Sequence, residues 1–221
     1  MSAKPEVQHL PPHAPPLEAF CIVMVCFGLF IASSLDAAAN WRPGSASGFT
    51  DAGFDNLVGT ELFFGAIALL LLRARGYPLQ TLYPQPTWRG AIEGAFLCLA
   101  IHVSDSLLGF MLPDIGTTAI DEMMVSTSVS WSSTIPAMLV NGVYEELFLM
   151  GYLTRGLRRY GASTAIGITL LVRVLYHSYQ GPVGALAVCL AGLLFGLWFQ
   201  RTGRLFPLVF AHIAIDLLVF L

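Results

Sequence analysis

The chain of 221 residues is 56% hydrophobic and only 11% charged, with a formal net charge of −3. Soluble domains carry about 25% charged residues, so this composition excludes an ordinary soluble domain and favours a lipid bilayer as the surrounding medium. The sequence has no block rich in lysine and arginine, so nothing in it predicts binding to nucleic acid.

Apolar runs long enough to cross a membrane follow one another along the chain. We expect helices in them, because lipid offers no partners for free backbone groups. The sequence predicts an all-α, polytopic membrane helix bundle with about seven transmembrane helices, at residues 18–38, 57–74, 89–112, 133–157, 162–180, 183–200 and 204–221. Residues 1–17 hold five prolines and are expected to form a disordered cytoplasmic tail.

Positive charge is concentrated in connections that fall on one side of the membrane if the spans alternate. Only Arg42 falls on the other side; the first side holds Lys4, Arg73, Arg75, Arg89, Arg155, Arg158, Arg159, Arg201 and Arg204. Because positive charge favours the cytoplasmic side, we expect a cytoplasmic N-terminus and a C-terminus outside. The expected localisation is a prokaryotic plasma membrane, with the protein in it as a multi-pass integral membrane protein.

Two adjacent glutamates, Glu145 and Glu146, lie inside the fourth predicted span. An acidic group near the bilayer centre costs roughly 2.5–3.5 kcal/mol on insertion scales, so such groups are candidates for function. Glu145 precedes Arg155 by ten residues, which places it roughly 15 Å from the inner surface. The two side chains leave the helix about 100° apart, so we expect them to point in different directions and to have different roles. Asn141 lies one turn before Glu145 on the same face.

Further polar groups inside the predicted spans come in pairs spaced by four residues. Arg173 and His177 lie on the fifth span, and His212 and Asp216 lie on the seventh, each pair on one helix face. Their depths overlap with that of Glu145. Two histidines and a carboxylate close to Glu145 could polarise a water molecule for attack on a carbonyl.

Other polar and small residues have simpler interpretations. Glu61, near the outer end of the second span, is expected at the membrane interface, and Asp105 on the third span is expected there too unless it extends the polar cavity with His102. The motif Gly192-x-x-x-Gly196 predicts close helix packing without implying dimerisation.

The ordered set of motifs resembles the CPBP family of intramembrane proteases, which includes the CAAX prenyl endopeptidases and relatives connected with bacteriocins. The shared motifs are Glu-Glu at Glu145 and Glu146, the single histidine His177, and His-x-x-x-Asp at His212 and Asp216. The resemblance covers roughly residues 133–221 and implies a catalytic four-helix core there. Residues 18–132 would then form three N-terminal transmembrane helices with an outer loop.

The resemblance implies an intramembrane endopeptidase that hydrolyses a peptide bond of a membrane-anchored protein or peptide. Glu145, helped by His177, would activate the attacking water, and His212 with Asp216 would orient this water or stabilise the oxyanion. Glu146 completes the predicted catalytic set, and Arg173 and Asn141 are predicted to support it.

The chain departs from the family pattern at two positions. Met150 stands where the family usually has an arginine four residues after the second glutamate, and Arg173 stands where it often has an aromatic residue. We hypothesise that the changes compensate, with Arg173 supplying from the fifth span the cation that Met150 lacks and pairing with Glu146. An ion pair that only fixes helix packing is the simpler interpretation of these two residues.

Three alternatives remain open from the sequence. A metal-dependent version of the protease would use Glu145, His177 and His212 as zinc ligands, but the sequence has no His-Glu-x-x-His motif, so no cofactor is favoured. A non-catalytic membrane scaffold or immunity-type protein would keep the polar groups for structure. A proton-coupled transporter is disfavoured, because the hydropathy shows neither broken helices nor inverted repeats.

Overall fold

The computed structural model describes residues 13–112 and 119–221, and regular structure in this part of the chain is helical, as predicted. Residues 1–12, which are most of the predicted tail, and residues 113–118 of the predicted outer loop lie outside the described residues. The tail boundary differs slightly from the prediction, because helix α1 already begins at Pro16 and Ala14 is fully buried against Gly156.

The helices follow the predicted spans closely. They are α1 (Pro16–Asn40), α2 (Asp51–Ala74), α3 (Trp88–Met111), α4 (Ala119–Val125), α5 (Trp131–Glu146), α6 (Arg155–Leu157), α7 (Ala162–Tyr176), α8 (Gly181–Thr202) and α9 (Phe206–Val219). A π-helical segment, Leu147–Thr154, joins α5 to α6 without a break in the helical backbone. Short 3₁₀ turns occupy Leu79–Leu82, Arg158–Tyr160 and Ser178–Gln180.

Local sequence explains several helix boundaries. Thr50 and Thr87 cap α2 and α3, since each hydroxyl accepts a hydrogen bond from the amide three residues later. Gly203 ends α8 in the left-handed conformation at φ 65°, which suits a residue without a Cβ. The polar breaks in the sequence therefore coincide with the ends of helices.

Within residues 13–112 and 119–221, four helical stretches are long and apolar enough to cross a membrane by length and composition, namely α1, α2, α3 and Ser178–Thr202, which includes α8. Helices α7 and α9 are apolar but shorter, so the number of seven spans stays a prediction. Large apolar side chains such as Phe20, Phe96 and Phe110 are exposed on the outer surface of the bundle. Such a surface fits lipid, and the chain is an integral membrane protein.

The segments 18–132 and 133–221 share their cores. Helices α1 and α2 pack against α5 and α7, and one cluster of buried side chains joins Phe27 and Leu72 to Tyr144 and Tyr152. A second cluster joins α3, α8 and α9 around Phe195. The π-helical segment lies between the two clusters, and its residues 148–154 are all buried.

The two ends of the bundle have different characters. At one end, arginines hold the turns together: Arg155 donates to the carbonyls of Thr81 and Gly203, and Arg158 donates to that of Gln200. At the other end, the connection 41–50 is bound to the residues around α4, and the Ser130 amide donates to Asp51 Oδ1 at 2.7 Å. Helices α2 and α5 therefore begin side by side at this second end.

Helices α3 and α9 approach closely at glycine. A Cβ added to Gly94 would lie 2.7 Å from the carbonyl oxygen of Pro207 and 2.8 Å from the Phe210 ring. A backbone carbonyl cannot move aside as a flexible side chain can, so this position requires glycine.

We predict that Gly94→Val lowers the stability of the purified protein by about 1–3 kcal/mol, the usual cost of overpacking. The measurement is the Tm in detergent. Gly109→Ala on the same helix is the control, because its new Cβ would have no neighbour within 4 Å. Equal Tm values for the two variants would contradict the close approach of α3 and α9.

Candidate active site

The predicted polar residues line a cavity of about 910 Å³ enclosed by helices of both halves and by the connection 41–50. Apolar side chains such as Phe54 and Ile101 form much of its wall. The polar and charged members of the lining include Glu61, Asp105, Asn141, Glu145, Arg173, Tyr176, His177, His212 and Asp216. The structure thus brings every predicted site residue except Glu146 to one cavity wall.

Glu145 and Glu146 end α5 immediately before the π-helical segment, and both are buried. Glu145 lines the cavity, whereas Glu146 is fully buried behind it. The prediction that they point in different directions is only partly right, because both carboxylates approach Arg173 and His212. A glutamate side chain is long enough for neighbours 100° apart on a helix to reach a shared partner.

Glu146 forms the central contacts of the site. Its Oε1 accepts a hydrogen bond from the Arg173 guanidinium at 2.5 Å and lies 2.7 Å from Nδ1 of His212. The hypothesised pair between Arg173 and Glu146 is therefore present. Gly192 makes room for it, since a Cβ there would lie 3.1 Å from Cδ of Arg173, and the motif Gly192-x-x-x-Gly196 serves close packing as predicted.

His212 is oriented by Glu146. The carboxylate paired with Arg173 can only accept a hydrogen bond, so Nδ1 of His212 carries the hydrogen. In the neutral ring Nε2 is then the acceptor, and it lies 3.7 Å from Glu145 Oε2 and 3.5 Å from Asp216 Oδ2. The Asn141 amide donates to the same Asp216 oxygen at 3.3 Å. A water that lies beside these atoms, on the cavity side, could contact Nε2 and a carboxylate together.

Tyr176 is a site residue that the sequence prediction missed. Its hydroxyl donates a hydrogen bond to Glu145 Oε2 at 2.5 Å, and the Arg173 guanidinium lies 3.6 Å from the same oxygen. A signal was present in the sequence, because Tyr176 follows Arg173 by three residues and so lies on the same helix face.

His177 lies at the end of α7, and its Nδ1 is 3.0 Å from the carbonyl oxygen of Arg173. Nδ1 therefore donates to this carbonyl, which leaves Nε2 as the acceptor nitrogen. His177 lines the cavity, but the side-chain atoms closest around Glu145 come from Tyr176, Arg173 and His212. Its predicted role as a helper of Glu145 stays a prediction.

The side chains that could hold a metal ion differ from the predicted set. Donor atoms of Glu145, Glu146 and His212 lie within 4.8 Å of one another, and His177 is not among them. The Arg173 guanidinium already lies 2.5 Å from Glu146 and 3.6 Å from Glu145. A divalent cation held by both glutamates would meet this fixed positive charge at close range, so the arrangement fits an ion-pair site better than a metal site.

Two further acids line the cavity, which contradicts the interfacial prediction for Glu61 and agrees with the alternative given for Asp105. Glu61 is not interfacial: it is 2% exposed and lines the cavity from α2. Asp105 also lines the cavity, and one oxygen of each carboxylate is buried without a hydrogen-bond partner in the described part of the chain. The sequence placed Glu61 by its distance from the helix end, but the cavity reaches deep enough to include it.

The structure defines an integral membrane protein of the all-α class with a buried carboxylate, histidine and arginine cluster beside an apolar cavity. A family model described as Type II CAAX prenyl endopeptidase Rce1-like matches residues 126–218. The match covers 93 of the 221 residues, and this segment is similar to the CPBP family of CAAX proteases, in agreement with the resemblance seen in the motifs. A comparison with curated proteins found no match, and a comparison with solved structures found none either.

The family match supports intramembrane endopeptidase activity on a peptide or a membrane-anchored protein in a lipid environment. All the residues of the buried cluster, from Asn141 to Asp216, lie within the matched segment. Helices α1, α2 and α3 precede it and contribute Glu61 and Asp105 to the same cavity.

We predict that Arg173→Ala lowers the yield of folded protein several-fold, because it leaves the buried Glu146 carboxylate without its cation, a change that typically costs about 3–5 kcal/mol. Met150→Arg, one turn after Glu146, should restore part of that yield. The measurement is the monodisperse fraction in size-exclusion chromatography, with the exposed Arg201→Ala as control. Undiminished yield for Arg173→Ala, or no recovery in the double variant, would refute the compensation.

Proposed function

We propose that the protein is an intramembrane endopeptidase in which Glu145 activates water to hydrolyse a peptide bond of a membrane-anchored protein or peptide. The observation that supports this most strongly is the position of Glu145, whose carboxylate lines the cavity 3.7 Å from the acceptor nitrogen of His212. A water beside them would donate one hydrogen to Glu145 and the other to Nε2 of His212. Its lone pair would then face a carbonyl in the cavity.

In the first step Glu145 takes a proton from this water, and the water oxygen bonds to the carbonyl carbon to form a tetrahedral intermediate. The developing oxyanion needs donors, and the Asn141 amide offers one, because only one of its two hydrogens is used by Asp216. The Arg173 guanidinium adds positive charge beside the cavity. In the second step the carbon–nitrogen bond breaks, and the proton held by Glu145 passes to the leaving amine.

The remaining residues keep these groups in position. Glu146 and Arg173 neutralise each other and fix the ring of His212 through Nδ1. The Asn141 amide holds the Asp216 carboxylate by a hydrogen bond, and the Tyr176 hydroxyl holds the Glu145 carboxylate in the same way. Asp216 and His177 remain in the proposed catalytic set with His212, Glu145 and Glu146.

The proposed mechanism uses no metal or other cofactor, because the Arg173 guanidinium already occupies the position beside both glutamates where a cation would bind. We also propose a prokaryotic plasma membrane as the location, with the N-terminus in the cytoplasm and the C-terminus outside. The arginines that bind the turns at one end of the bundle support this orientation.

The first test replaces the proposed base. Glu145→Gln should lower peptide-bond cleavage by about 10²–10⁴-fold, since the amide cannot take a proton, and it should leave the protein level unchanged. The measurement is mass spectrometry of new protein termini near membrane anchors, in cells carrying wild type or variant at matched levels. Cleavage by the purified wild type should also survive a metal chelator.

Glu93→Gln is the matched control, because Glu93 pairs with Arg89 and Arg204 and is not part of the cavity lining. Termini that are unchanged in Glu145→Gln would reject the protease. If cells carrying Glu145→Gln also grow and behave like cells carrying the wild type, the result would favour a membrane scaffold in which the buried polar cluster serves helix packing.

A second test removes one hydrogen bond. Tyr176→Phe should lower kcat about 10-fold or more with little change in KM, because a hydrogen bond to a charged group contributes roughly 1.5–3 kcal/mol. Tyr152→Phe serves as control, since it removes a similar bond to Glu18 away from the cavity. Equal kcat values in the two variants would show that Tyr176 does not position the base.

A further inference from the structure

Glu61 is a carboxylate of the cavity that the proposed mechanism does not use. It lies on α2, outside the segment that matches the family, and is 2% exposed. Its Oε2 has no hydrogen-bond partner among the described residues, although the side chain lines the cavity. A buried carboxylate oxygen that accepts no hydrogen bond is unfavourable, so a ligand that donates one to Glu61 would remove this cost.

The helices place Glu61 close to the proposed base. Gly65 of α2 lies level with Tyr144 of α5, since a Cβ there would be 3.2 Å from the Tyr144 ring. Helices α2 and α5 run in the same direction, so Glu61, one turn before Gly65, lies roughly 7.5 Å from the level of Glu145 towards the end that carries the connection 41–50. An extended peptide advances about 3.3 Å per residue, so this step equals about two residues.

The cavity lining holds more acidic than basic side chains. Four carboxylates reach the described lining, on Glu61, Asp105, Glu145 and Asp216. The permanent cation of that lining is Arg173, and its closest contact is with Glu146 behind the cavity wall. The ligand that best complements Glu61 therefore carries its own positive charge.

The wall around Glu61 suits a particular form of cation. Leu57 and Ile101 line the same cavity as apolar side chains. A lysine or arginine side chain has a long apolar stem that can lie along such a wall while its charged end reaches a carboxylate. A small inorganic cation would leave the apolar wall unfilled.

We propose that Glu61 is a specificity-determining residue that binds a lysine or arginine side chain of the substrate, about two residues from the bond that is cleaved. This inference rests on the proposed function and adds a substrate class to it. Glu61 would accept hydrogen bonds from the cationic end and would fix the register of the peptide against Glu145.

The test uses purified protein in lipid nanodiscs and a library of palmitoylated peptides with randomised positions on both sides of a central bond. Mass spectrometry of the products should show lysine and arginine enriched about tenfold over norleucine at one position near the cleaved bond. Glu61→Gln should remove this enrichment, and Glu93→Gln should keep it. Enrichment that persists in Glu61→Gln, or wild-type products without enrichment, would overturn the proposal.

A binding measurement separates this inference from the proposed function. The Glu145→Gln protein should bind a fluorescent palmitoylated peptide with lysine about tenfold more tightly than the same peptide with acetyl-lysine. This comparison does not require a folded Glu61 variant. Discrimination in binding without any cleavage by the wild type would reject the protease but keep the subsite, whereas equal binding of the two peptides would reject the subsite.

Discussion

The contact on which the rest of the site depends is the one between Glu146, Arg173 and His212. Three helical elements meet there, because α5 brings the carboxylate, α7 the guanidinium and α9 the imidazole. A carboxylate buried this fully would be strongly unfavourable alone, and a guanidinium at 2.5 Å offsets part of that penalty. The same carboxylate oxygen determines which nitrogen of His212 carries hydrogen, so packing and chemistry are set by one group.

This arrangement separates two neighbouring acids by function. Glu146 is enclosed and paired, and it positions His212 from behind the cavity wall. Glu145 differs because one side of it meets the cavity, while Tyr176 holds one of its oxygens. Adjacent positions at the end of one helix thus give a positioning carboxylate and a candidate reactive one, and their contacts rather than their spacing distinguish them.

The sequence was sufficient to predict the all-α membrane fold and most of the acidic, histidine and arginine residues at the cavity, because apolar runs and buried charges are strong signals in a membrane protein. It also predicted the pair of Arg173 with Glu146. It could not predict that Glu61 belongs to the cavity, since that depends on how deep the cavity extends between α2 and α5. Helical spacing predicted that Glu145 and Glu146 point in different directions. Their long side chains nevertheless reach the same partners, Arg173 and His212. The separation of His177 from the closest contacts of Glu145 likewise depends on the exact end of α7.

The helices that precede the matched segment contribute residues to the same cavity. Helices α1 and α2 pack on α7 and α5 respectively, and residues before the matched segment, Glu61 among them, form part of the cavity wall. Chemistry and selectivity can therefore reside in different parts of the chain. The hydrolytic groups would remain constant while the preceding helices vary the peptide that is accepted.

The π-helical segment after Glu146 allows the two ends of this helix to evolve separately. A π-helical turn accommodates an extra residue within a continuous helix and shifts the rotational phase of the residues beyond it. The two glutamates before it can therefore face α7 and α9 independently of the arginines that close the helix at the other end. A change in the length of this one segment would rotate the arginine-rich end of the helix relative to the end that carries Glu145 and Glu146. Neither end would have to change its own sequence.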